Sequence, residues 1–132
     1  MTQPAAIEAW HRIVRERDPS LLRELLAEEA VFHSPVVHTP QRGRALVAGY
    51  LGAALQLLSV PSFRYVREIV GEQEAMLEFE VELDGILVDG VDIIRWNEAG
   101  KIVDFKVMIR PLKAINLVHQ KMAELLAAAQ AR

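Results

Sequence analysis

The chain has 132 residues, a formal net charge of −3 and no cysteine. A chain of this length is expected to form one domain, spanning residues 1–132, which is large enough to bury roughly two thirds of the surface of the unfolded chain. The negative net charge and the lack of a dense basic cluster argue against binding to nucleic acid. The lack of cysteine excludes disulfides and cysteine-ligated zinc, and it is compatible with a reducing cytoplasm.

The sequence shows no pattern of a targeting or membrane segment. Charged and polar side chains appear at Glu8, His11 and Arg12, too early for a signal peptide. No uninterrupted apolar run approaches the roughly 20 residues that a membrane-spanning helix needs. We therefore expect a soluble, cytoplasmic protein with no membrane partner.

The first half of the chain predicts three helices and one short strand. Apolar residues at helical spacing define a first helix that ends at Asp18-Pro19, where the proline begins a second helix. That second helix carries Leu21, Leu22, Leu25 and Leu26. The segment "AVFHSP" then predicts a strand ended by Pro35, and "RALVAGYLGAALQLLS" predicts a third helix closed by Pro61.

From Ser62 onward the apolar period becomes two, which is typical of strands. In "AMLEFEVELDG" the apolar side chains alternate with acidic ones, and "FRYVREIVG", "ILVDGVDIIRW" and "KIVDFKVMIR" complete a meander of four strands. Pro111 then begins an apolar-striped helix that runs to the alanine-rich end. The order predicts an α+β fold in which helices precede a curved antiparallel sheet and a final helix.

Asp92 is the residue that this pattern does not explain by packing alone. Strand alternation places it on one face with Val88, Gly90, Ile94 and Trp96, so burial is expected to raise the pKa of its carboxyl. A perturbed carboxyl in a cavity is a candidate functional group. The alternative is a structural aspartate at the open end of a strand, bonded to backbone or water.

Two segments carry a resemblance to a known superfamily. "LLAEEAVFHSPVVHTPQRGRALVAGYL" resembles the helix, short strand, proline loop and helix of the nuclear transport factor 2-like superfamily, and "VDIIRWNEAGKIVDFKVMIRP" resembles its last hairpin. The superfamily includes ketosteroid isomerases and SnoaL-like polyketide cyclases. The resemblance covers nearly the whole chain and implies a cone-shaped sheet wrapped around the N-terminal helices, with an apolar cavity between them.

The resemblance also implies roles for three positions. Asp92 falls where ketosteroid isomerases hold a protonated aspartic acid that donates a hydrogen bond to the substrate oxyanion. Trp10 replaces their oxyanion-hole tyrosine, and Ser34 replaces their general-base aspartate. Because an indole N–H is less acidic than a phenol and a serine cannot abstract a carbon-bound proton unaided, the isomerase route is not expected here. The Asp-Arg-Asp trio of epoxide hydrolases with this fold is also missing, since Gly90 precedes Asp92 by two residues.

Other side chains are weaker candidates. Trp10 fits a core aromatic as well as a cavity donor, and Ser34 before a proline fits a turn. His38, in a loop, is a candidate base at the cavity mouth, whereas alternation turns His33 away from a cavity-facing Ser34. No third ligand accompanies the two histidines, so no metal site is predicted. The remaining candidates for the cavity wall are apolar or aromatic: Tyr50, Phe63, Tyr65, Leu77, Phe79, Phe105, Val107 and Ile109.

The opposite face of the later strands is too apolar to be left wholly in water. It carries Val91, Ile93, Lys106 and Met108. With the resemblance, which implies frequent dimers, this face predicts a homodimer formed through the sheet.

Two hypotheses of function follow. In the first, the protein is an enzyme in which Asp92 acts as acid, base or hydrogen-bond donor on a carbonyl or hydroxyl of an apolar substrate. Trp10, Ser34 and His38 would orient substrate or water, and no cofactor would be needed. The reaction would be an isomerisation, cyclisation, dehydration or hydrolysis. In the second, the protein is a non-catalytic dimeric module that binds an apolar ligand or a protein. A protein-transport adaptor is a third option, for which the fold gives no specific evidence.

Overall fold

A computed structural model describes residues 3–130 of the chain. Within them, the helices are α1 (Ala5–Glu16), α2 (Leu22–Leu25, after a 3₁₀ turn at Pro19–Leu21), α3 (Arg44–Leu58) and α4 (Leu112–Gln130). The strands are β1 (Leu26–His33), β2 (Gln41–Arg42), β3 (Arg64–Val70), β4 (Glu74–Leu83), β5 (Ile86–Trp96) and β6 (Ile102–Arg110). The order of helices, meander and final helix is the predicted one.

The six strands form one curved sheet in the order β2-β1-β6-β5-β4-β3. The meander β3–β6 is antiparallel throughout, but β1 pairs with β6 in the parallel direction, so the sheet is mixed and not wholly antiparallel as predicted. Register shifts interrupt three of the ladders, and such irregularities bend strands. The predicted α+β class with a curved sheet is confirmed.

The boundary between α2 and β1 differs from the prediction. Leu26, predicted to be helical, already has extended backbone angles and begins β1, four residues before the predicted strand. Its Cα pairs with that of Ile102, and its carbonyl oxygen accepts a hydrogen bond from Arg44 Nε at 3.1 Å. These contacts are distant in sequence, and they outweigh the helix propensity of a run of leucines.

The register of the meander determines which side chains face inward. The Asp84-Gly85 turn has positive φ at both residues, 50° and 78°, as a two-residue hairpin turn requires. It pairs Leu83 with Ile86, and the ladder then places Asp92 opposite Leu77. The predicted alternation of β4 is confirmed, since five of its side chains are buried: Ala75, Leu77, Phe79, Val81 and Leu83.

The helices cover the concave face of the sheet and leave the other face exposed. Trp10 of α1 and Leu51 of α3 join one apolar cluster, while Val118 of α4 joins a second cluster around Phe79. Near the start of α4, Leu112 is 71% exposed and Ala114 is buried. Within residues 3–130, no helix has the length and apolar character needed to cross a bilayer.

Candidate functional site

A cavity of about 400 Å³ lies between the concave face of the sheet and helices α1, α3 and α4. Its volume is in the range of small-molecule sites, about 300–1,000 Å³. Most of its wall is aliphatic or aromatic. The Trp10 ring stands edge-on to Phe105 with centroids 4.9 Å apart, and Phe63 stacks on Phe79 at 5.4 Å. Packed aromatic walls of this kind favour an apolar ligand.

Asp92 lies on the inner surface of this cavity. It is 6% exposed, and it is the one buried charged or polar residue among residues 3–130. Burial disfavours the carboxylate and raises its pKa from 3.8 to about 7, and a hydrogen bond from Tyr65 opposes part of that rise. Both the acid and the carboxylate are therefore populated at neutral pH.

Asp92 is the last member of a chain of hydrogen bonds that begins on α1. The indole Nε1–H of Trp10 donates to the Tyr65 hydroxyl oxygen at 2.9 Å, and that hydroxyl donates to Asp92 Oδ2 at 2.7 Å. Burial, followed by the charge of Asp92, raises the pKa of Tyr65 well above 10, so its proton stays in place at neutral pH. The chain fixes Oδ2 and leaves Oδ1 as the oxygen available to a ligand.

Gly90 shapes the cavity wall beside Asp92. It pairs with Phe79 across β4 and β5, and a Cβ built on it would overlap the Phe79 ring. The missing side chain lets the Phe79 ring lie flat across β5, two residues from Asp92. Glycine at this position therefore gives the cavity an aromatic surface where an alanine would force the ring to move.

The sequence matches the SnoaL-like domain family over residues 7–105. The chain belongs to the SnoaL-like family. A search of curated proteins found no match. Among solved structures, a steroid delta-isomerase from Pseudomonas aeruginosa is 33% identical with a TM-score of 0.91, and the alignment covers 97% of this chain and 93% of that one. The predicted superfamily is thereby confirmed.

Two further structures show how widely the fold is used. An uncharacterised protein with a cystatin-like fold from Silicibacter pomeroyi is 34% identical, with a TM-score of 0.84 and coverage of 92% of this chain and 84% of that one. An NTF2-like protein of unknown function from Mesorhizobium loti is 24% identical with a TM-score of 0.68, covering 80% of this chain and 91% of that one, and it supports the fold alone. The family match and the 33% identical neighbour suggest a small-molecule isomerase-type or binding role.

The cavity of this SnoaL-like domain brings together most of the side chains singled out in the sequence. Ten of them line it with Asp92 included: Trp10, Ser34, Tyr50, Phe63, Tyr65, Phe79, Asp92, Phe105, Val107 and Ile109. Two do not. Leu77 is fully buried beneath the wall in the apolar core. His38 is exposed in the loop at 34–40 and is outside the lining, because that loop brings Val36 and Val37 to the cavity instead.

Ser34 stabilises a turn and also lines the cavity. Its hydroxyl oxygen accepts hydrogen bonds from the backbone N–H of Val36 at 3.0 Å and of Val37 at 3.3 Å. Its own proton is left to donate. His33 points to the other side of β1, where its Nε2 lies 2.9 Å from Asp104 Oδ1. Within residues 3–130, no cluster of three histidine, aspartate or glutamate side chains could hold a metal ion.

Sequence reasoning did not find the hydrogen-bond chain or the basic side chains of the cavity. Tyr65 was expected in the wall, but its bond to Asp92 spans 27 residues and depends on the curvature of the sheet. Arg15, Arg17 and His119 also line the cavity. Arg17 lies just beyond the end of α1 with left-handed backbone angles, so helical spacing from Trp10 does not predict its position in the lining.

Proposed function

We propose that the cavity binds a mostly apolar small molecule bearing a carbonyl or hydroxyl group, and that Asp92 acts on it as a general acid–base. The observation that carries the proposal is a buried carboxyl whose pKa is about 7, with one oxygen held by Tyr65 and the side chain lining an apolar cavity. A group of that pKa both accepts and returns protons at neutral pH.

The simplest reaction for one such group is a proton shift. Ionised Asp92 takes a proton from the carbon beside a carbonyl, which gives a carboxylic acid and an enolate. The same proton then returns from Asp92 to a different carbon and regenerates the carboxylate. The Ser34 and Tyr50 hydroxyls also line the cavity and can donate hydrogen bonds to the enolate oxygen.

Each remaining polar group has a limited part in this scheme. Tyr65 positions the carboxyl, and Trp10 positions Tyr65, so neither is proposed as the proton carrier. His38 has no part, because it lies outside the lining. The chemistry uses protein side chains and needs no metal or organic cofactor. A chain without cysteine is compatible with the cytoplasm, which is the location we propose.

The similarity to the Pseudomonas aeruginosa protein described as a steroid delta-isomerase supports an isomerase-type reaction. Cyclisation, dehydration and hydrolysis use the same acid–base group and are the other reactions within the proposal. Steroid isomerisation by the ketosteroid isomerase route is not expected, since Trp10 and Ser34 stand where that route uses a tyrosine and an aspartate.

Simple ketones can test the proposal before the natural substrate is identified. Deuterium exchange at the carbons beside the carbonyl of small apolar ketones, followed by proton NMR in D₂O, reports proton abstraction directly. We expect the protein to accelerate this exchange and Asp92→Asn to lower the acceleration at least about 100-fold. Asp89→Asn, three residues away on the outer face, is the matched control and should keep it.

A non-catalytic binding module is the alternative function. It is favoured by the occupied N–H of Trp10 and by the absence of an acid other than Asp92 among the described residues of the lining. Ketone binding with exchange no faster than in buffer, in wild type and in Asp92→Asn alike, would establish the module and contradict acid–base catalysis.

We also propose that two copies associate through the outer face of the sheet. An apolar strip crosses four strands there, with Ile69, Met76 and Met108 at 61%, 44% and 52% exposure. The ladder pairs Met76 with Ile93 and Val91 with Met108, so the strip is continuous. Two ion pairs border the strip, Arg67–Glu78 at 3.1 Å and Arg110–Asp89 at 3.2 Å. Because the border carries both positive and negative side chains, it can face a copy of itself across a two-fold axis.

Sedimentation velocity tests this association. We expect a dimer for the wild type and a monomer for Met108→Glu, because a charge in the apolar strip opposes burial. The matched control Leu112→Glu changes a more exposed apolar residue outside the strip and should stay dimeric. A monomeric wild type at micromolar concentration would contradict the proposal.

A further inference from the structure

The mouth of the cavity has a charge of one sign. The exposed residues of the lining mark where it opens to solvent, and they include Arg15 and Arg17 from the end of α1 and His119 from α4. Among the described residues that line the cavity, Asp92 is the one acid, and it is buried inside. The two arginines therefore make the mouth cationic in a protein whose net charge is −3.

The acids next to these arginines in the sequence are engaged elsewhere. Glu16 Oε2 lies 2.6 Å from Arg12 Nε, one turn back along α1. Asp18 accepts from the backbone N–H of Ser20 at 3.0 Å and from its hydroxyl. Within residues 3–130, neither Arg15 nor Arg17 takes part in an ion pair. Both guanidinium groups are thus available to an anion at the opening.

Backbone geometry does not account for an arginine at position 17. Arg17 ends α1 in the left-handed region, with φ 55° and ψ 40°, and its N–H donates to the carbonyl of Ile13. Glycine is the usual residue at this position because it has no Cβ to clash. Arg17 keeps a long cationic side chain beside the cavity in spite of that preference.

We infer that the substrate is an amphiphilic acid, with its reacting carbonyl or hydroxyl near Asp92 and a carboxylate at the mouth between Arg15 and Arg17. This inference rests on the proposed function, and it names the substrate class for the same cavity. A carboxylate at the mouth stays partly hydrated, so it avoids the cost of burying a charge, while the apolar middle of the molecule fills the aromatic wall. A carboxylate near Asp92, by contrast, would meet a like charge.

The experiment compares 9-oxodecanoate with its methyl ester, which has the same chain and the same ketone but no charge. Binding of each to the full-length protein is measured by isothermal titration calorimetry at low and at high ionic strength. We expect the acid to bind about three- to ten-fold more tightly than the ester, as two exposed charge pairs allow, and the preference to shrink in high salt.

The variants Arg15→Gln and Arg17→Gly test whether the preference for the acid over the ester depends on the two arginines at the mouth. Each should reduce the ratio of the two dissociation constants, and together they should bring it close to one. Arg17→Gly also relieves a left-handed residue, so its thermal midpoint should be unchanged or higher, and lost affinity cannot then be ascribed to misfolding. Arg23→Gln is the matched control, since it removes an exposed cation from α2 outside the lining.

Three results overturn the inference. The first is equal binding of the acid and the ester by the wild type. The second is a preference for the acid that survives in the double variant, which would place the anion elsewhere. An effect of Arg15→Gln on the thermal midpoint alone, with the ratio unchanged, would mean that Arg15 only complements the helix dipole, and it would also overturn the inference.

The deuterium-exchange assay distinguishes this failure from failure of the proposed function. If Asp92→Asn abolishes exchange while acid and ester bind equally, the catalytic proposal stands and the substrate class is wrong. If the arginines set the preference but exchange never exceeds that in buffer, the protein binds amphiphilic acids without acting on them.

Discussion

Asp92 and Asp89 lie on the same strand and differ in everything that determines the behaviour of a carboxylate. Asp92 faces the cavity, is nearly buried, and has a neutral tyrosine hydroxyl as its partner. Asp89 faces outward, and Oδ2 lies 3.2 Å from Arg110 Nη1. On the outer face of the sheet, the carboxylate of Asp89 is paired with a cation in solvent. On the inner face, the carboxyl of Asp92 is buried without a cationic partner. A missing counter-charge therefore marks the functional face more clearly than residue type does.

The largest effect should be on the pH dependence of stability. The pKa of Asp92 rises from 3.8 to about 7 on folding, so the folded state binds more protons than the unfolded state between those values. Stability due to this group is complete below pH 4, falls as pH rises, and levels off above pH 7. The shift corresponds to about 4 kcal/mol at 1.36 kcal/mol per unit.

Asp92→Asn tests that expectation. Asparagine cannot ionise, so the variant should be more stable than wild type above pH 7 by up to about 4 kcal/mol and close to it at pH 4. Urea unfolding of both proteins across this pH range measures the difference. A variant that is less stable than wild type at pH 8 would mean that the folded protein stabilises the carboxylate.

The next effect concerns the inner wall. Gly90→Ala forces a methyl group into the space of the Phe79 ring, which is 1% exposed and stacks on Phe63. We expect a loss of about 1–3 kcal/mol in the free energy of unfolding. Gly49→Ala is the control in α3, where an added Cβ meets nothing within 4 Å, and it should stabilise the protein by up to about 1 kcal/mol. Equal effects would contradict the packing described for Gly90.

Tyr65→Phe should sharpen the contrast between the two carboxyls. It removes the hydrogen bond that lowers the pKa of Asp92, so that pKa should rise above about 7, and the pH profile of ketone exchange should move to higher pH. It also leaves the Trp10 N–H without its acceptor, at a cost of about 1–3 kcal/mol. An unchanged pH profile would show that the hydroxyl does not act on Asp92.

The smallest effect should come from the outer face. Asp89→Asn breaks a pair in which Arg110 is 78% exposed, and solvent screens it, so stability should change by less than about 1 kcal/mol. Chemical denaturation at two salt concentrations measures this change. A loss larger than that of Gly90→Ala would contradict the contrast between the packed inner face and the solvent-screened ion pairs of the outer face.

The sequence was sufficient for the fold where the signal was local. The period-two pattern of β4 and the Asp84-Gly85 turn set the register, and the register alone places Asp92 on the inner face. Pairing between distant segments was not predictable from local patterns. The start of β1 at Leu26 depends on contacts with Ile102 and Arg44, which no local pattern encodes.

For the candidate site, the sequence predicted which residues come together but not the hydrogen bonds between them. Strand parity and the family resemblance brought Asp92, Trp10 and Tyr65 to one cavity, but the bonds that join them depend on side-chain directions in a curved sheet. Leu77 has the parity of a wall residue yet lies beneath the wall, in the apolar cluster that also contains Ile7 and Ile13 of α1. Arg17 was overlooked because a charged residue at a helix end is usually solvated.

The most direct measurement is the carboxyl pKa of Asp92, by carbon-detected NMR titration of protein labelled at aspartate, with Asp92→Asn to assign the signal. We predict a midpoint near 7 in the free protein, and a shift when an apolar ketone such as 2-heptanone enters the cavity. A midpoint near 3.8 that no ketone changes would contradict the acid–base role of Asp92 and leave the cavity as a binding site.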